Sequence, residues 1–403
     1  LDSNEDSRAN QVVDESYPHL IRLNIGLAHA NADGSYRYGC PSRWGGYEMA
    51  QFAVSSNGLE LVSLGGGVVR ASSDGGCTFD EVEMPAELGY PRDVGWVQSR
   101  FYVLGGDENS GALVSFGSDW LVRIETIFPG DADALGFAPD TLVLQAGAPG
   151  VVVVAGARPT PQVWQASLPA TGLPSEGWSA SSSSLGGDWS YLSVRHIEED
   201  GTAWLVASTT EGRILVRVRS DPELAENDEW LPSTEVFENL MGPVELGANL
   251  VLIADGKSAL VQDDGSAFSI QQGTTVDWTC LQAVGAYVYV CQLNGVLRLN
   301  GPFDVVRSDD TPLFSMKQLG GPGSTCASTD EESVACDLDW YHYGGEAGLL
   351  DQTPWTGPTG PGGDSGGCKR GPRGSIPWAL LVVLFLMVSV RSRNISLRGH
   401  QYH

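Results

Sequence analysis

"SSDGGCTFDEV", residues 72–82, sets Ser72, Asp74, Gly76, Thr78 and Phe79 at regular offsets after an apolar run. The spacing predicts a hairpin: a strand ends at Ser72, the Asp74 carboxylate accepts backbone N–H bonds inside the turn, and Thr78 and Phe79 open the return strand. Gly76 supplies the backbone freedom of that turn, and Phe79 packs beneath it. Apolar runs bounded by Gly, Pro, Asp and Ser recur on both sides, among them "LELVSL" (59–64), "RFYVLGG" (100–106), "VVVVAG" (151–156), "AWLVAS" (203–208) and "YVYVC" (287–291). Their β-branched and aromatic content is that of strands, and helix-period patterns are scarce before residue 350. Residues 1–350 are therefore expected to be all-β and mostly antiparallel.

Partial copies of the turn follow other strand-like runs. "VQDDGSAF" (261–268) keeps Asp263, Gly265 and Phe268 at the same offsets, and "NADGSYRY" (31–38) keeps Asp33 and the closing aromatic Tyr38. "SFGSDW" (115–120) keeps a turn and Trp120. Strand clusters between these marks fall at 10–40, 47–85, 90–128, 135–185, 188–238, 240–272 and 276–308. A spacing of about 40 to 50 residues in most cases is what a four-stranded blade needs, which points to a β-propeller of about seven blades. The segment 309–350 then completes a blade or covers an edge.

The pattern at residues 72–79 resembles the Asp-box, or BNR repeat, of sialidase-like and related β-propellers, in which Ser-x-Asp-x-Gly-x-Thr-aromatic marks a blade. The resemblance implies that Ser72, Asp74, Gly76, Thr78, Phe79 and their partial counterparts are structural residues at blade peripheries, and Asp74 is assigned no catalytic part. The stretch from "NQVV" through "RLNIGLAHANADGSYRYGC" also looks like bacterial surface proteins that combine such repeats with a C-terminal sorting segment.

The formal charge is -27, and the one cationic cluster, Lys369, Arg370, Arg373, Arg391, Arg393 and Arg398, flanks an apolar run near the C-terminus. No basic stripe suited to nucleic acid is present, so no nucleic-acid partner is expected. Acidity of this size reads first as a self-repelling, soluble surface. No secretory leader is legible at the start, and "LAHAN" (27–31) is taken as part of the first repeat although it resembles a cleavage site.

Seven cysteines, Cys40, Cys77, Cys280, Cys291, Cys326, Cys336 and Cys368, form no Cys-x-x-Cys pair, and the six histidines do not cluster beside them. No metal and no cofactor is expected. Cys280 and Cys291 are symmetric about Gly285-Ala286, a hairpin turn that would set the two thiols opposite each other. Cys326 and Cys336 repeat the arrangement around a polar loop. Such pairs favour an oxidising, extracytoplasmic compartment, the plainer alternative being buried free thiols. Cys40 and Cys77 are a candidate third pair, which leaves Cys368 unpaired.

From Asp351 the composition changes. Residues 351–375 are a Pro/Gly-rich linker, 376–390 ("IPWALLVVLFLMVSV") an apolar helix, and 391–403 a basic tail expected on the cytoplasmic side. As a helix the apolar run would span about 22 Å, short of the roughly 30 Å hydrocarbon core of a bilayer. Gly366, Gly367 and Cys368, then the apolar helix, then arginines, resemble a MYXO-CTERM sorting signal. That resemblance implies a processing or attachment point at Cys368, a sorting protease as partner, and an exported protein held C-terminally at the cell surface or outer membrane. A plain C-terminal membrane anchor is the alternative.

A sialidase-class hydrolase needs three arginines converging on a carboxylate, a Tyr/Glu pair and an Asp acid/base; arginine suits the first role because its planar fork binds carboxylates bidentately. The chain has Arg22, Arg43, Arg92, Arg123 and Arg195, but no Arg-Ile-Pro stretch near its first blade. Arg217 and Arg219 in "RILVRVRS" read as solvent-facing or edge residues. No Ser-His-Asp order, HExxH or phosphate loop is present. The expected function is therefore a non-enzymatic, surface-anchored propeller that binds a glycan or protein, with a sialidase-type glycoside hydrolase as the alternative. Calcium binding by the acidic loops 130–136 and 220–230 is a third possibility. Trp44, Tyr47 and Trp189 are aromatic candidates for stacking on sugars, though such residues more often pack blades.

Overall fold

In the computed structural model the described residues lie between Leu20 and Gly320, with interruptions of which the longest are 129–138, 169–177, 220–228 and 300–313. The chain divides into two compact units, Leu1–Pro354 and Trp355–His403, and every described residue belongs to the first. The described residues of that unit are all-β, with strands in seven four-stranded sheets and two short 3-10 turns, Pro41–Trp44 and Ala86–Leu88.

Six sheets are each built from four consecutive strands. We number them as blades 2 to 7, running over residues 51–81, 90–128, 141–182, 189–232, 240–275 and 280–315. Blades 2 to 5 lie within the stretches marked by the sequence, and blade 6 runs three residues past its stretch, to Thr275. In blade 7 the fourth strand, Phe314–Ser315, falls beyond residue 308. Blade 1 is composite: Leu20–Leu23, Gly26–Ala30 and Tyr36–Gly39 are joined by Leu319–Gly320, which pairs parallel to Tyr36 and Arg37. The ring is thus closed by bringing both ends of the propeller chain into one sheet.

From blade 2 to blade 7 the first strand of each sheet packs against the first strand of the next. These strands line the common axis, and the fourth strands lie outside. Apolar side chains on both faces of the middle strands meet the neighbouring blades, so the core is divided among the interfaces. Phe101, Val103 and Val114 of blade 3 pack with Val62 and Val69 of blade 2, and Trp204 and Leu215 of blade 5 with Leu252 and Ala259 of blade 6. Each buried aliphatic or aromatic side chain contributes about 1.5–3 kcal/mol relative to exposure.

Blade packing also explains one glycine pair. A β-carbon on Gly105 would run into the Leu88 carbonyl, and Gly106 lies against Ser110 and Gly111. The "GG" that ends "RFYVLGG" marks this close backbone approach.

Cys280 and Cys291 are direct partners across the first hairpin of blade 7 and form a disulfide, with Cα atoms 4.8 Å apart. Cys40 and Cys77 are each disulfide-bonded as well. Cys326, Cys336 and Cys368 lie outside the described residues, as do Gly366, Gly367 and the apolar run 376–390. Among the described residues no helix is long and apolar enough to cross a membrane.

Candidate functional site

The turn at 72–79 closes as a network around one carboxylate. Asp74 Oδ1 accepts the backbone N–H groups of Cys77 and Thr78, both at 2.9 Å, and the Ser72 hydroxyl at 2.8 Å. Its Oδ2 accepts the Thr78 hydroxyl at 2.8 Å. Ser72 Oγ also accepts the Gly76 N–H at 2.9 Å, and Gly76 adopts φ +82°, a backbone region that glycine enters without strain. Burial pushes the Asp74 pKa up, but the bonds from Thr78, Ser72 and Cys77 outweigh it and hold the carboxyl below its ordinary value. Phe79 sits edge-on to Trp44, 6.1 Å between ring centres. The turn joins the third and fourth strands of blade 2, away from the axis.

The counterpart in blade 6 is built differently. Here Asp264 caps the turn, accepting N–H bonds from Ser266 and Ala267 at 2.9 and 2.8 Å. Asp263 accepts the Gly265 N–H at 2.7 Å and also reaches into blade 5, where it pairs with Arg217. Phe268 packs edge-on to Trp204, 5.0 Å away. Tyr38 is buried in blade 1, and Asp33 lies outside the described residues.

Arg217 corrects the expectation of a solvent-facing residue. Its side chain is 0% exposed and crosses the interface between blades 5 and 6, meeting Asp263, Glu229 at 3.5 Å and the Gly265 carbonyl at 3.3 Å. Arg219 Nη1 donates to the same carbonyl at 2.6 Å. Both faces of a propeller's middle strands are covered by neighbouring blades, so an alternating arginine there points into an interface.

On the inner strands, two aspartates are spent in linking blades. Asp93 accepts the N–H of Val94 at 2.9 Å and, through Oδ2, that of Leu142 in blade 4 at 2.7 Å. Asp140 Oδ2 accepts the N–H of Ala157 at 2.9 Å and that of Leu192 in blade 5 at 3.0 Å. Thr141 adds a hydroxyl bond to the Leu192 carbonyl and accepts the Val194 N–H. Each innermost strand has a free edge, and these side chains satisfy N–H groups along it. The Asp140 pKa is raised by burial, against the N–H bonds and the nearby Arg92 and Arg158. Neither aspartate was singled out in the sequence. The available signal was the recurrence of Pro, then Asp, then an aliphatic residue at the start of two blades, in "PRDV" and "PDTL".

Trp44 and Trp189 are 3% and 8% exposed and pack within the blades, Trp189 tilted against Trp230. Tyr47 and the loop 130–136 lie outside the described residues, and so does most of 220–230. Among the described residues no three His, Cys, Asp or Glu side chains are grouped to hold a metal ion.

An open groove of about 690 Å3 lies between the outer parts of blades 2 and 3. One wall is residues 82–85, which continue the last strand of blade 2; the other is Trp120, Leu121, Val122 and Ile124 of blade 3. The second wall starts at the last residue of "SFGSDW", Trp120. The Trp120 N–H donates to the Gly117 carbonyl at 3.0 Å and the Leu121 N–H to Asp119 at 3.2 Å. Trp120 is held at φ +56°, unusual for a bulky side chain, with its ring stacked on Phe101 at 5.9 Å. Leu121 and Ile124 are left 65% and 43% exposed.

No family model matches the chain, and no curated protein matches it. Among solved structures it is similar to the extracellular domain of a proposed one-component system from B. thetaiotaomicron, at 12% identity and a TM-score of 0.45 over 73% of this chain and 39% of that one. It is similar to a prolyl endopeptidase at 16% identity and a TM-score of 0.43, covering 68% and 43%. A third likeness, to an ancestral GH74 enzyme, has 11% identity and a TM-score of 0.35, covering 74% and 54%. The chain thus spans about two fifths of the length of the first of these.

Proposed function

We propose that this protein is an exported β-propeller, displayed at the cell surface, that binds a glycan or protein partner without turning it over. The observation that carries the non-enzymatic reading is the use of the inner-strand carboxylates: Asp93 and Asp140 hold backbone N–H groups of the following blades. A carboxylate committed to two such bonds is a structural clamp before it is a proton carrier. Export is supported by the Cys280–Cys291 disulfide, since such bonds persist in oxidising compartments. Surface attachment is supported by residues 351–403: the linker, Gly366-Gly367-Cys368, the apolar run and the arginines that follow it. In the MYXO-CTERM reading a sorting protease acts near Cys368; in the simpler one the segment stays in the membrane.

The test is fractionation of cells expressing the full chain or Cys368→Ala, with the same samples assayed on a panel of glycoside substrates. The proposal expects the propeller in the outer-membrane or surface fraction, retention of Cys368→Ala in the inner membrane if Cys368 is processed, and no glycoside turnover. A cytosolic location or robust turnover would overturn it.

The alternative, a sialidase-type glycoside hydrolase, is supported by the charges of Arg92 and Arg158 in the neighbourhood of the buried Asp140. Hydrolysis of a sialoside reporter that is lost in Arg92→Ala and in Arg158→Ala would establish that reading; absence of hydrolysis by the wild type would dismiss it.

A further inference from the structure

The groove between blades 2 and 3 combines features that the packing of the propeller does not require. Apart from Glu83 its lining side chains are apolar, among backbone polar groups, and Leu121 and Ile124 offer aliphatic surface to solvent. Its wall is preformed, because Trp120 is fixed in a left-handed conformation and stacked on Phe101. Its borders are acidic. Glu83 lines it; Asp80, Glu81, Glu87 and Asp119 are exposed on the segments that form its two walls, against one exposed cation, Arg123. Apolar side chains beside backbone polar groups, with an acidic rim, select a partner that offers both aliphatic and basic side chains.

The wall also favours an extended partner. Ile124 belongs to Arg123–Phe128, the outermost strand of blade 3, which among the described residues is laddered on one side only, to Gly111–Phe116. A strand with a free edge can accept a short peptide through main-chain bonds while its neighbouring pockets take alternate side chains. The bulge at Glu125, where the register shifts opposite Leu113 and Val114, bends this strand. Bending disfavours long edge-to-edge pairing with a second copy, as does repulsion between two chains of charge -27.

We propose that this groove docks an extended peptide segment in which aliphatic and basic side chains alternate, the aliphatic ones entering between residues 82–85 and Trp120–Val122 and the basic ones meeting the acidic rim. This names a partner class and a face for the binding role proposed above, and it rests on that role; the in vitro test below is independent of where the protein resides, so failure of one is distinguishable from failure of the other.

The probe is a fluorescent hexapeptide of alternating leucine and lysine, about 20 Å long when extended, titrated against the full chain in zwitterionic detergent and followed by anisotropy. Hexapeptides alternating leucine with glutamate and serine with lysine serve as comparisons. The variants are Leu121→Ser combined with Ile124→Ser, and Glu83→Lys; all three positions are exposed, and near-UV circular dichroism checks that each variant is folded. Saturable binding of the leucine–lysine peptide is expected, weakened about tenfold or more by either variant, with added salt weakening it further and with neither comparison peptide binding. Equal binding by wild type and the double variant would overturn the proposal, as would equal binding of the serine–lysine peptide. So would self-association of the wild type, seen by sedimentation and lost in the double variant, because the groove would then belong to a second copy.

Discussion

A guanidinium with no exposed surface must have its charge matched on the spot, and Arg217 finds that match in the neighbouring blade. Removing one partner of a buried pair costs about 3–5 kcal/mol, whereas replacing the buried ion by an apolar side chain of similar size is often neutral. Asp263→Ala is therefore expected to destabilise the propeller by about 3 kcal/mol and Arg217→Met by much less, as read from urea unfolding midpoints. Equal losses would show that the pair itself, and not the stranded charge, carries the energy. At Asp74 the sign of the pH dependence follows from its lowered pKa. A carboxyl whose folded value lies below the unfolded one contributes stability above the unfolded pKa and loses it as pH falls through the folded one. The stability advantage of wild type over Asp74→Asn should thus be largest near neutrality and shrink below about pH 4. A pH-independent difference would mean that Asp74 acts through shape alone.

At the scale of strands and blades, the inner edges are held by side chains reaching forward along the chain, from blade 3 to 4 at Asp93 and from 4 to 5 at Asp140. Leaving a buried N–H without a partner costs about 1–3 kcal/mol. Asp140→Ala strands two, at Ala157 and Leu192, and is expected to cost about 2–4 kcal/mol. Hydrogen exchange localises the effect: the Leu192 amide should exchange faster, while amides in blade 6 such as Ile253 keep their protection relative to global stability. The hairpin disulfide closes a short loop, so replacing both Cys280 and Cys291 by alanine should cost about 2 kcal/mol, measured as a lowered unfolding midpoint. Elements of this kind were unevenly legible. The β-branched runs and their Gly and Asp punctuation located the strands of blades 2 to 6 because each strand carries its own local pattern. The two-residue strands Phe314–Ser315 and Leu319–Gly320 carry no such pattern, and what places them is pairing with residues distant in sequence. The alternation in "ILVRVR" identified a strand but misplaced Arg217, since alternation separates two faces without saying that either meets water. The blade-linking role of Asp93 and Asp140 is not legible locally, because one N–H partner of each, Leu142 or Leu192, belongs to the next blade.

Over the whole molecule, seven sheets close into a ring through a blade that joins both ends of the propeller chain. Apolar side chains between neighbouring blades hold the ring together. The functional reading follows from how particular polar groups are allocated: Asp93, Asp140, Thr141 and Arg217 link blades, and Leu121 and Ile124 remain exposed at the groove where a partner is proposed. Fold was legible to the level of the propeller because repetition multiplies a weak local signal; the site was not, because the groove is made by turns of two different blades whose sequences show nothing of their juxtaposition. The central claim is a propeller that leaves the cytoplasm and works outside it. Its most direct test is to shave intact cells expressing the full chain with protease, then map the cysteines of the released peptides by mass spectrometry after alkylation without reduction. The account expects propeller peptides released from intact cells, with Cys280 and Cys291 recovered as a cross-linked pair. Release of those peptides only after lysis, with both thiols alkylated, would contradict it.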